Sequence, residues 1–229
     1  IEGWLPEDTL REVTPKYLEE PRGILNGNSN SILALPRTTK EVSIIVKACQ
    51  KENLGIIPYS GGTGLVGGQV DPRQKTSVIL STERLRKIRD FYLDEKVIIV
   101  EAGVILEHLQ EEVSKNNLFF PLALASQGSC RVGGNLATNA GGVQVLKYGN
   151  IRDFCLGIEA VLPNGDIFNG LKRLRKDNTG YDLKNLLIGS EGTLGLITAA
   201  SFRLFPRPNQ ICTAILSVKS PAEALELLN

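Results

Sequence analysis

The chain has 229 residues, 42% of them hydrophobic, and sets 26 Lys and Arg against 25 Asp and Glu for a net charge of +1. A chain of this length buries a substantial core, which predicts a globular, soluble protein of one large domain or two small ones. The balanced charge excludes the strong field that draws in nucleic acid or an anionic membrane, and no run approaches the roughly 18 apolar residues of a membrane span.

In chain order, residues 31–35 (SILAL) read as a short strand, and Thr38 with Glu41 forms a capping box for a helix that carries Val42, Ile45, Val46 and Cys49 on one face. Gly55 is expected to end this helix and lead into a strand at residues 54–58 (LGIIP), which makes a βαβ unit. The loop that follows, residues 58–68 (PYSGGTGLVGG), has no charged residue. Its glycines let the backbone approach a ligand without a Cβ in the way and reach positive φ, so that successive amides converge on an anion. Gly62, Gly64 and Gly67 also match the dinucleotide pattern G-x-G-x-x-G, but that pattern needs a helix behind it to receive the pyrophosphate. Pro72 and its polar neighbours oppose a helix, and residues 77–81 (SVILS) return to strand, so a nicotinamide-binding fold is not expected. A triphosphate-binding P-loop lacks its Gly-Lys-Ser or Gly-Lys-Thr triplet. What remains is a loop for a different phosphate-containing cofactor.

Residues 97–104 (VIIVEAGV) read as a strand running into a helix from about 106 to 115, with Ile105, Leu106, Leu109 and Val113 as its apolar stripe. The single histidine, His108, falls at the border of that stripe and reads as a partly buried side chain, not as a general base. Residues 118–124 lead into a second glycine cluster at 128–149 (GSCRVGGNLATNAGGVQVLKYG), where Cys130 reads as a small buried residue lining the cofactor. Residues 156–162 and 166–168 flank Asn164 and Gly165, a hairpin signal. The basic run at 172–176 (KRLRK) reads as a solvated face, and a third cluster follows at 189–195 (GSEGTLG). One phosphate would not need three separated glycine segments; one large ligand would. Cys49, Cys130, Cys155 and Cys212 form no C-x-x-C pair, which argues against a zinc site or a disulfide framework and for a reducing compartment. Residues 211–218 read as a strand, and Ser220 and Glu223 as a capping box with Pro221 at the first helical position. This β-α start, with no Met at residue 1, reads as part of a longer polypeptide whose next domain begins here.

The three glycine segments, together with RKDNTGYDLKNLLIGSEGTLGLIT at 175–198, resemble the FAD-binding domain of the vanillyl-alcohol oxidase type (PCMH-type) flavoproteins. Within that superfamily they resemble most the D-2-hydroxyacid dehydrogenases, the group of D-2-hydroxyglutarate dehydrogenase, D-lactate dehydrogenase and the FAD subunit of glycolate oxidase. The resemblance covers about residues 33–208. It implies an α+β fold: a PCMH-type FAD-binding domain over residues 1–208, built of two α/β subdomains (about 31–90 and 91–208), then the start of a substrate or cap domain at 209–229. It implies oxidation of a D-2-hydroxyacid of the 2-hydroxyglutarate, lactate or glycolate class to the 2-oxoacid, with hydride passing to FAD. In the family the base, the carboxylate-binding arginine and the histidines for a divalent metal such as zinc belong to the cap domain, so no catalytic residue is assigned here. The implied partners are the small 2-hydroxyacid and an electron acceptor such as an electron-transfer flavoprotein or a quinone, with no nucleic acid and with homodimerisation left open. The implied location is cytoplasmic, at the inner-membrane surface, or mitochondrial in a eukaryote. A transferase of the alkylglycerone-phosphate synthase type, or a non-catalytic FAD-binding protein, would share the loops and differ in the cap.

By this resemblance Ser60, Gly61, Gly62, Thr63, Gly64 and Leu65 hold the pyrophosphate with backbone amides and the Ser60 and Thr63 hydroxyls, Gly68 completes the turn, and Pro58 and Tyr59 before them also belong to the cofactor site. Pro121, Leu122, Gly128, Ser129, Gly133, Gly134, Asn135, Thr138, Asn139 and Gly142 line the isoalloxazine, ribityl and phosphate portions. Glu191, Gly192 and the backbone of Ile197 contact the adenosine end. Some relatives attach the flavin covalently through a histidine in the first loop; Gly61, Gly62, Thr63 and Gly64 stand there in this chain, so FAD is expected to be held through this loop without a covalent bond.

Overall fold

The computed structural model describes residues 5–72 and 75–228. In order, the chain forms β1 (Leu10–Glu12), a 3-10 turn (Pro15–Tyr17), β2 (Ile32–Ala34), α1 (Thr39–Lys51), β3 (Gly55–Tyr59) and β4 (Ser77–Ser81). Then follow β5 (Ile88–Tyr92), β6 (Val97–Glu101), α2 (Leu106–Ser114), β7 (Leu118–Phe119), α3 (Val132–Ala137), α4 (Val145–Tyr148), α5 (Ile151–Phe154), β8 (Cys155–Val161) and β9 (Ile167–Gly170). The last elements are α6 (Leu183–Leu187), β10 (Leu196–Arg203), β11 (Phe205–Pro206) and α7 (Pro221–Leu228).

Two sheets result. The first has the order β1-β2-β4-β3, with β2 and β3 parallel to β4 and β1 antiparallel to β2. The expected βαβ unit is present, but β4 lies between its two strands. The second sheet, β5-β6-β10-β8-β9, is antiparallel throughout. The first sheet thus reaches back to Leu10, and the second already begins at Ile88.

Local chemistry explains the ends of α1. The Glu41 amide donates to Thr38 Oγ1 at 3.2 Å, while the Glu41 carboxylate reaches the amide of Arg37, one residue before the cap, at 2.7 Å. The helix does not end at Gly55. Asn53 takes the left-handed turn at φ 54, the Leu54 amide returns to the Cys49 carbonyl at 2.8 Å, and Gly55 opens β3. Asparagine tolerates this conformation better than most residues and so serves as the stop. Val42, Ile45, Val46 and Cys49 are buried against Ala34, Val78 and Leu80 of the first sheet and against Val161 and Leu196 of the second, so α1 belongs to the core of both. The other face of the first sheet is covered by the N-terminal segment: Tyr17 with Val13 and Leu18 packs on Leu33, Ile57, Tyr59 and Ile79.

On the second sheet, α2, α3 and α5 bury Leu106, Leu109, Val132, Leu136, Ile151 and Phe154, and Phe120 meets the Phe154 and Phe202 rings edge-on at 5.2 and 5.1 Å. His108 is exposed, contrary to expectation. Ile105 is the residue before α2 and not part of its stripe, so the buried face is Leu106, Leu109 and Val113, and position 108 turns outward. The Asn164-Gly165 turn does join β8 to β9, with Gly165 alone left-handed at φ 81. Residues 211–218 are not a strand. They run without a hydrogen-bonded neighbour among the described residues and leave Ile211 84% and Ile215 98% exposed; an alternating pattern makes a strand only where an edge receives it. The cap of α7 forms as expected, the Glu223 amide donating to Ser220 Oγ at 3.3 Å.

A buried polar cluster ties α1 to the second sheet. Arg89 donates to Glu101 Oε1 at 3.2 Å and to both carboxylate oxygens of Glu159 at 3.0 and 3.2 Å. Glu159 also accepts from Thr39 of α1 at 2.5 Å and from Thr198 of β10 at 2.8 Å. Burial alone would raise the Glu159 carboxyl, but the hydrogen bonds from Arg89, Thr39 and Thr198 and the Arg89 charge outweigh it and hold the group below its ordinary value.

Candidate cofactor-binding site

Between the two sheets, at the carboxyl end of β3, lies a cleft with about 950 Å³ of space, part of it open to solvent. Ligands of open α/β sheets bind at such strand ends. All three glycine segments reach it: Pro58, Tyr59, Ser60, Gly61, Gly62, Thr63, Gly64 and Gly68 from the first; Gly133, Gly134, Asn135 and Thr138 from the second; and Glu191, Gly192 and Ile197 from the third.

The walls are locked together by close backbone approaches. Ser60 Oγ accepts from the Gly134 amide of α3 at 3.0 Å and from Thr82 Oγ1 at 3.3 Å, which pins the first loop to the second segment. A Cβ on Gly61 would stand 2.8 Å from the Ser129 carbonyl oxygen. The third segment hangs from the end of α3, with the Gly189 amide donating to the Leu136 carbonyl at 3.0 Å and the Glu191 amide to Ala137 at 2.9 Å. Gly192, left-handed at φ 80, lies against Pro58, where a Cβ would meet Pro58 Cγ at 2.6 Å.

The first loop has the electrostatics of an anion cradle. Gly62 is left-handed at φ 68. The amides of Gly61, Gly62, Thr63, Gly64 and Leu65 donate to no acceptor among the described residues, while Gln69 Nε2 takes the carbonyls of Gly62 and Gly64 at 3.4 and 3.0 Å. A run of amides with no partner, beside carbonyls that are already satisfied, presents positive dipoles to the cleft. Backbone groups left so are completed by a ligand or by water. The cradle fits a pyrophosphate, the group that FAD would bring. Ser60 accepts two hydrogen bonds from the protein, so its hydroxyl holds the loop in place and keeps its own proton to donate.

Some of the expected residues are not in the lining of this cleft. Leu65 is exposed at the loop's rim. Pro121 is buried, and Leu122 lines a second groove with Phe119, Phe120, Leu146 and Tyr148. Gly128 lies beside Glu107, Ser129 donates to the Ser126 carbonyl at 3.3 Å, Asn139 accepts from the Arg152 amide at 3.3 Å, and Gly142 packs on the Ala123 carbonyl. The structure also adds wall residues that motif reading missed, among them Val66, Gln69, Thr82, Arg131, Ala137, Leu187, Gly195 and Leu196; Cys130 is there as expected. Arg131 donates to the carbonyls of Gly103 at 2.7 Å and Glu83 at 3.3 Å, and burial lowers its guanidinium from the usual arginine value without discharging it near neutral pH. It is the one basic residue of the wall among the described residues. A cation beside uncharged glycine loops was the available signal.

The FAD binding domain family matches residues 31–170. The chain belongs to this family. FAD is therefore its cofactor, and the two-sheet α+β arrangement is the PCMH-type fold. Among curated proteins the chain is 46% identical over 198 residues to the mitochondrial D-2-hydroxyglutarate dehydrogenase of Bos taurus, covering 86% of this chain and 36% of that protein. It is 41% identical to the Danio rerio protein of the same name, covering 96% of this chain and 40% of that one. A putative mitochondrial D-lactate dehydrogenase of Schizosaccharomyces pombe is 43% identical, over 83% of this chain and 36% of its own length. The FAD-binding chain thus spans little more than a third of these relatives. Among solved structures, an alkyldihydroxyacetonephosphate synthase superposes with a TM-score of 0.78 at 25% identity, covering 91% of this chain and 40% of its own.

Proposed function

We propose that this chain is the FAD-binding part of a D-2-hydroxyacid dehydrogenase of the D-2-hydroxyglutarate type. The observation that carries the choice of activity is the identity of 41–46% to D-2-hydroxyglutarate dehydrogenases, against 25% to the synthase whose fold it shares. Once bound, FAD supplies the acceptor for the substrate's α-hydrogen. The chain's own residues bind and orient: the amides of Gly61 to Leu65 and the Ser60 and Thr63 hydroxyls hold the pyrophosphate, and Glu191, Gly192 and Ile197 hold the adenosine end. Gly133, Gly134, Asn135 and Thr138 form the wall along the flavin side, and Arg131 supplies the nearby positive charge. Pro121, Leu122, Gly128, Ser129, Asn139 and Gly142 are the further residues that the resemblance assigns to the flavin and ribityl portions. The base that takes the hydroxyl proton, the groups that hold the substrate carboxylate and any divalent metal belong to polypeptide beyond these residues. Residues 209–229, with exposed Ile211 and Ile215 awaiting a neighbour and α7 behind them, are the beginning of that substrate domain. Reoxidation of the cofactor requires an electron acceptor, and the names of the relatives support a mitochondrial location if the source is a eukaryote. Among the described residues no helix is long and apolar enough to cross a membrane.

The flavin is held without a covalent bond to the first loop. Acid precipitation is expected to leave the yellow chromophore in the supernatant and protein of unmodified mass in the pellet; a peptide containing Thr63 that is heavier by the mass of FAD would overturn this. The activity is tested by anaerobic mixing with D-2-hydroxyglutarate, D-lactate and glycolate while flavin absorbance is followed. The FAD-loaded chain alone is expected not to bleach, and the same chain joined to the unmatched portion of a D-2-hydroxyglutarate dehydrogenase to bleach with D-2-hydroxyglutarate. Failure of the joined protein with all three acids would refute the assignment. Equal bleaching by the chain alone would place the base within these residues.

A further inference from the structure

We infer that the N-terminal segment at residues 14–28 is a positioning brace for the cofactor loop, with Tyr17 and Leu25 as its two points of action. The inference rests on the reading that the amides of Gly61 to Leu65 hold the pyrophosphate. The segment lies outside the part of the chain that the FAD binding domain family matches. It nevertheless touches the loop at both ends. At the first end, Tyr17 is buried, its hydroxyl donates to Glu83 Oε2 at 2.9 Å, and its ring meets the Tyr59 ring edge-on at 4.9 Å. The Tyr59 hydroxyl donates to the Lys16 carbonyl at 3.2 Å and so occupies the space beneath Gly62, 2.2 Å from where a Cβ would stand. At the other end, Leu25 Cδ1 lies 2.6 Å from the corresponding position on Gly67.

Leu25 is delivered there by a turn with its own internal order. The Glu20 carboxylate, although buried, accepts from the amides of Arg22 and Ile24 at 2.8 and 2.6 Å, and the Gly27 amide closes onto the Leu18 carbonyl at 2.7 Å. The brace also reaches the opposite wall, since the Glu83 that Tyr17 binds gives its backbone carbonyl to Arg131 at 3.3 Å.

The loop needs such support. Beyond Ser60, which is tied to Gly134 and Thr82, its only backbone–backbone bond among the described residues is from Val70 to Gly67 at 3.2 Å, supplemented by the two contacts from Gln69. Converging amides repel one another through their dipoles, and a loop with few bonds of its own spends binding free energy on becoming ordered when the ligand arrives. Holding the ends of the loop in advance removes that cost. FAD affinity is therefore set in part by side chains that do not touch FAD.

The test compares FAD dissociation constants, measured by fluorescence titration of the full chain, with the melting temperature of the FAD-free protein. Leu25→Ala is expected to weaken FAD binding about tenfold or more, and Leu25→Met to restore it. Val113→Ala, buried on α2 and outside the lining of the cleft, is expected to lower the melting temperature without changing the dissociation constant. Tyr17→Phe, which keeps the ring and removes the bond to Glu83, is expected to weaken binding and to change the circular dichroism of the bound flavin. It decides the matter if Leu25→Ala does not fold. Dissociation constants of both variants within twofold of the parent overturn the brace while Gly62→Ala still abolishes binding. If Gly62→Ala also binds normally, the cradle itself is wrong and the brace falls with it.

Discussion

Gly62→Ala is expected to purify without FAD, whereas Gly64→Ala should retain it. The two glycines sit two residues apart in the same uncharged loop, so composition does not separate them. Gly62 is left-handed at φ 68, and a Cβ there would stand 2.2 Å from the hydroxyl of the buried Tyr59 ring. The φ alone costs a non-glycine residue roughly 1–2 kcal/mol, about five- to thirtyfold in affinity if the strain is relieved by abandoning the cradle. The overlap with Tyr59 adds to this, because that ring is held by Tyr17 and cannot swing away. Gly64 has no left-handed φ, and its nearest neighbour at the Cβ position is Gln69 Oε1 at an ordinary 3.6 Å. Flavin absorbance relative to protein after gel filtration, followed by titration with FAD, reads the difference. Equal retention by the two variants would show that the conformation at Gly62 does not govern binding.

Arg89→Ala is expected to cost about 3–5 kcal/mol of stability, because it leaves two buried carboxylates facing each other without their cation. Glu101 and Glu159 have side-chain exposures of only 7% and 12%, and both lie on the sheet to which α1 is attached through Thr39. Urea unfolding at neutral pH measures the loss, and Arg89→Ala combined with Glu159→Gln should recover part of it. The pH dependence has a definite sign. Glu159 is held below its unfolded value of about 4.3, so its contribution is complete above that pH and is lost as pH falls through the lower, folded value. The parent protein should therefore lose stability below about pH 4, and the gap between parent and Arg89→Ala should narrow there. A loss under about 1 kcal/mol at neutral pH would show that the cluster is dispensable.

The cofactor segments were legible in the sequence because few structures other than a ligand cleft call for such a composition. A stretch of glycines without charge, repeated in three places, points to one large ligand, and all three segments do line the cleft. The caps at Thr38 and Ser220 were equally readable, since a hydroxyl three residues before a glutamate is a local signal that needs no tertiary context. What topology alone brings together was hidden. Gln69 and Thr82 reach the cleft from the far end of a loop and the end of β4, and nothing in their own neighbourhoods marks them, whereas Arg131 at the start of α3 was marked only by its charge beside the glycines. Pro121, Leu122 and Gly142 stand outside the lining of this cleft, Leu122 lining a second groove beside it. Asn53 displaced Gly55 as the helix stop because asparagine reaches the left-handed region as well. His108 turned outward once Ile105 fell outside the helix. Residues 211–218 have the alternation of a strand, but pairing is decided by a neighbour that periodicity does not supply.

Hydrogen–deuterium exchange of the backbone, with and without FAD, tests the anion cradle most directly. The amides of Gly61, Gly62, Thr63, Gly64 and Leu65 donate to no acceptor among the described residues, so they should exchange quickly in the FAD-free protein. Bound FAD should slow them sharply, more than the amides of β3 and β4, which the sheet already protects. Slowing confined to other segments, with these five amides still exchanging freely in protein saturated with FAD, would contradict the placement of the pyrophosphate in this loop.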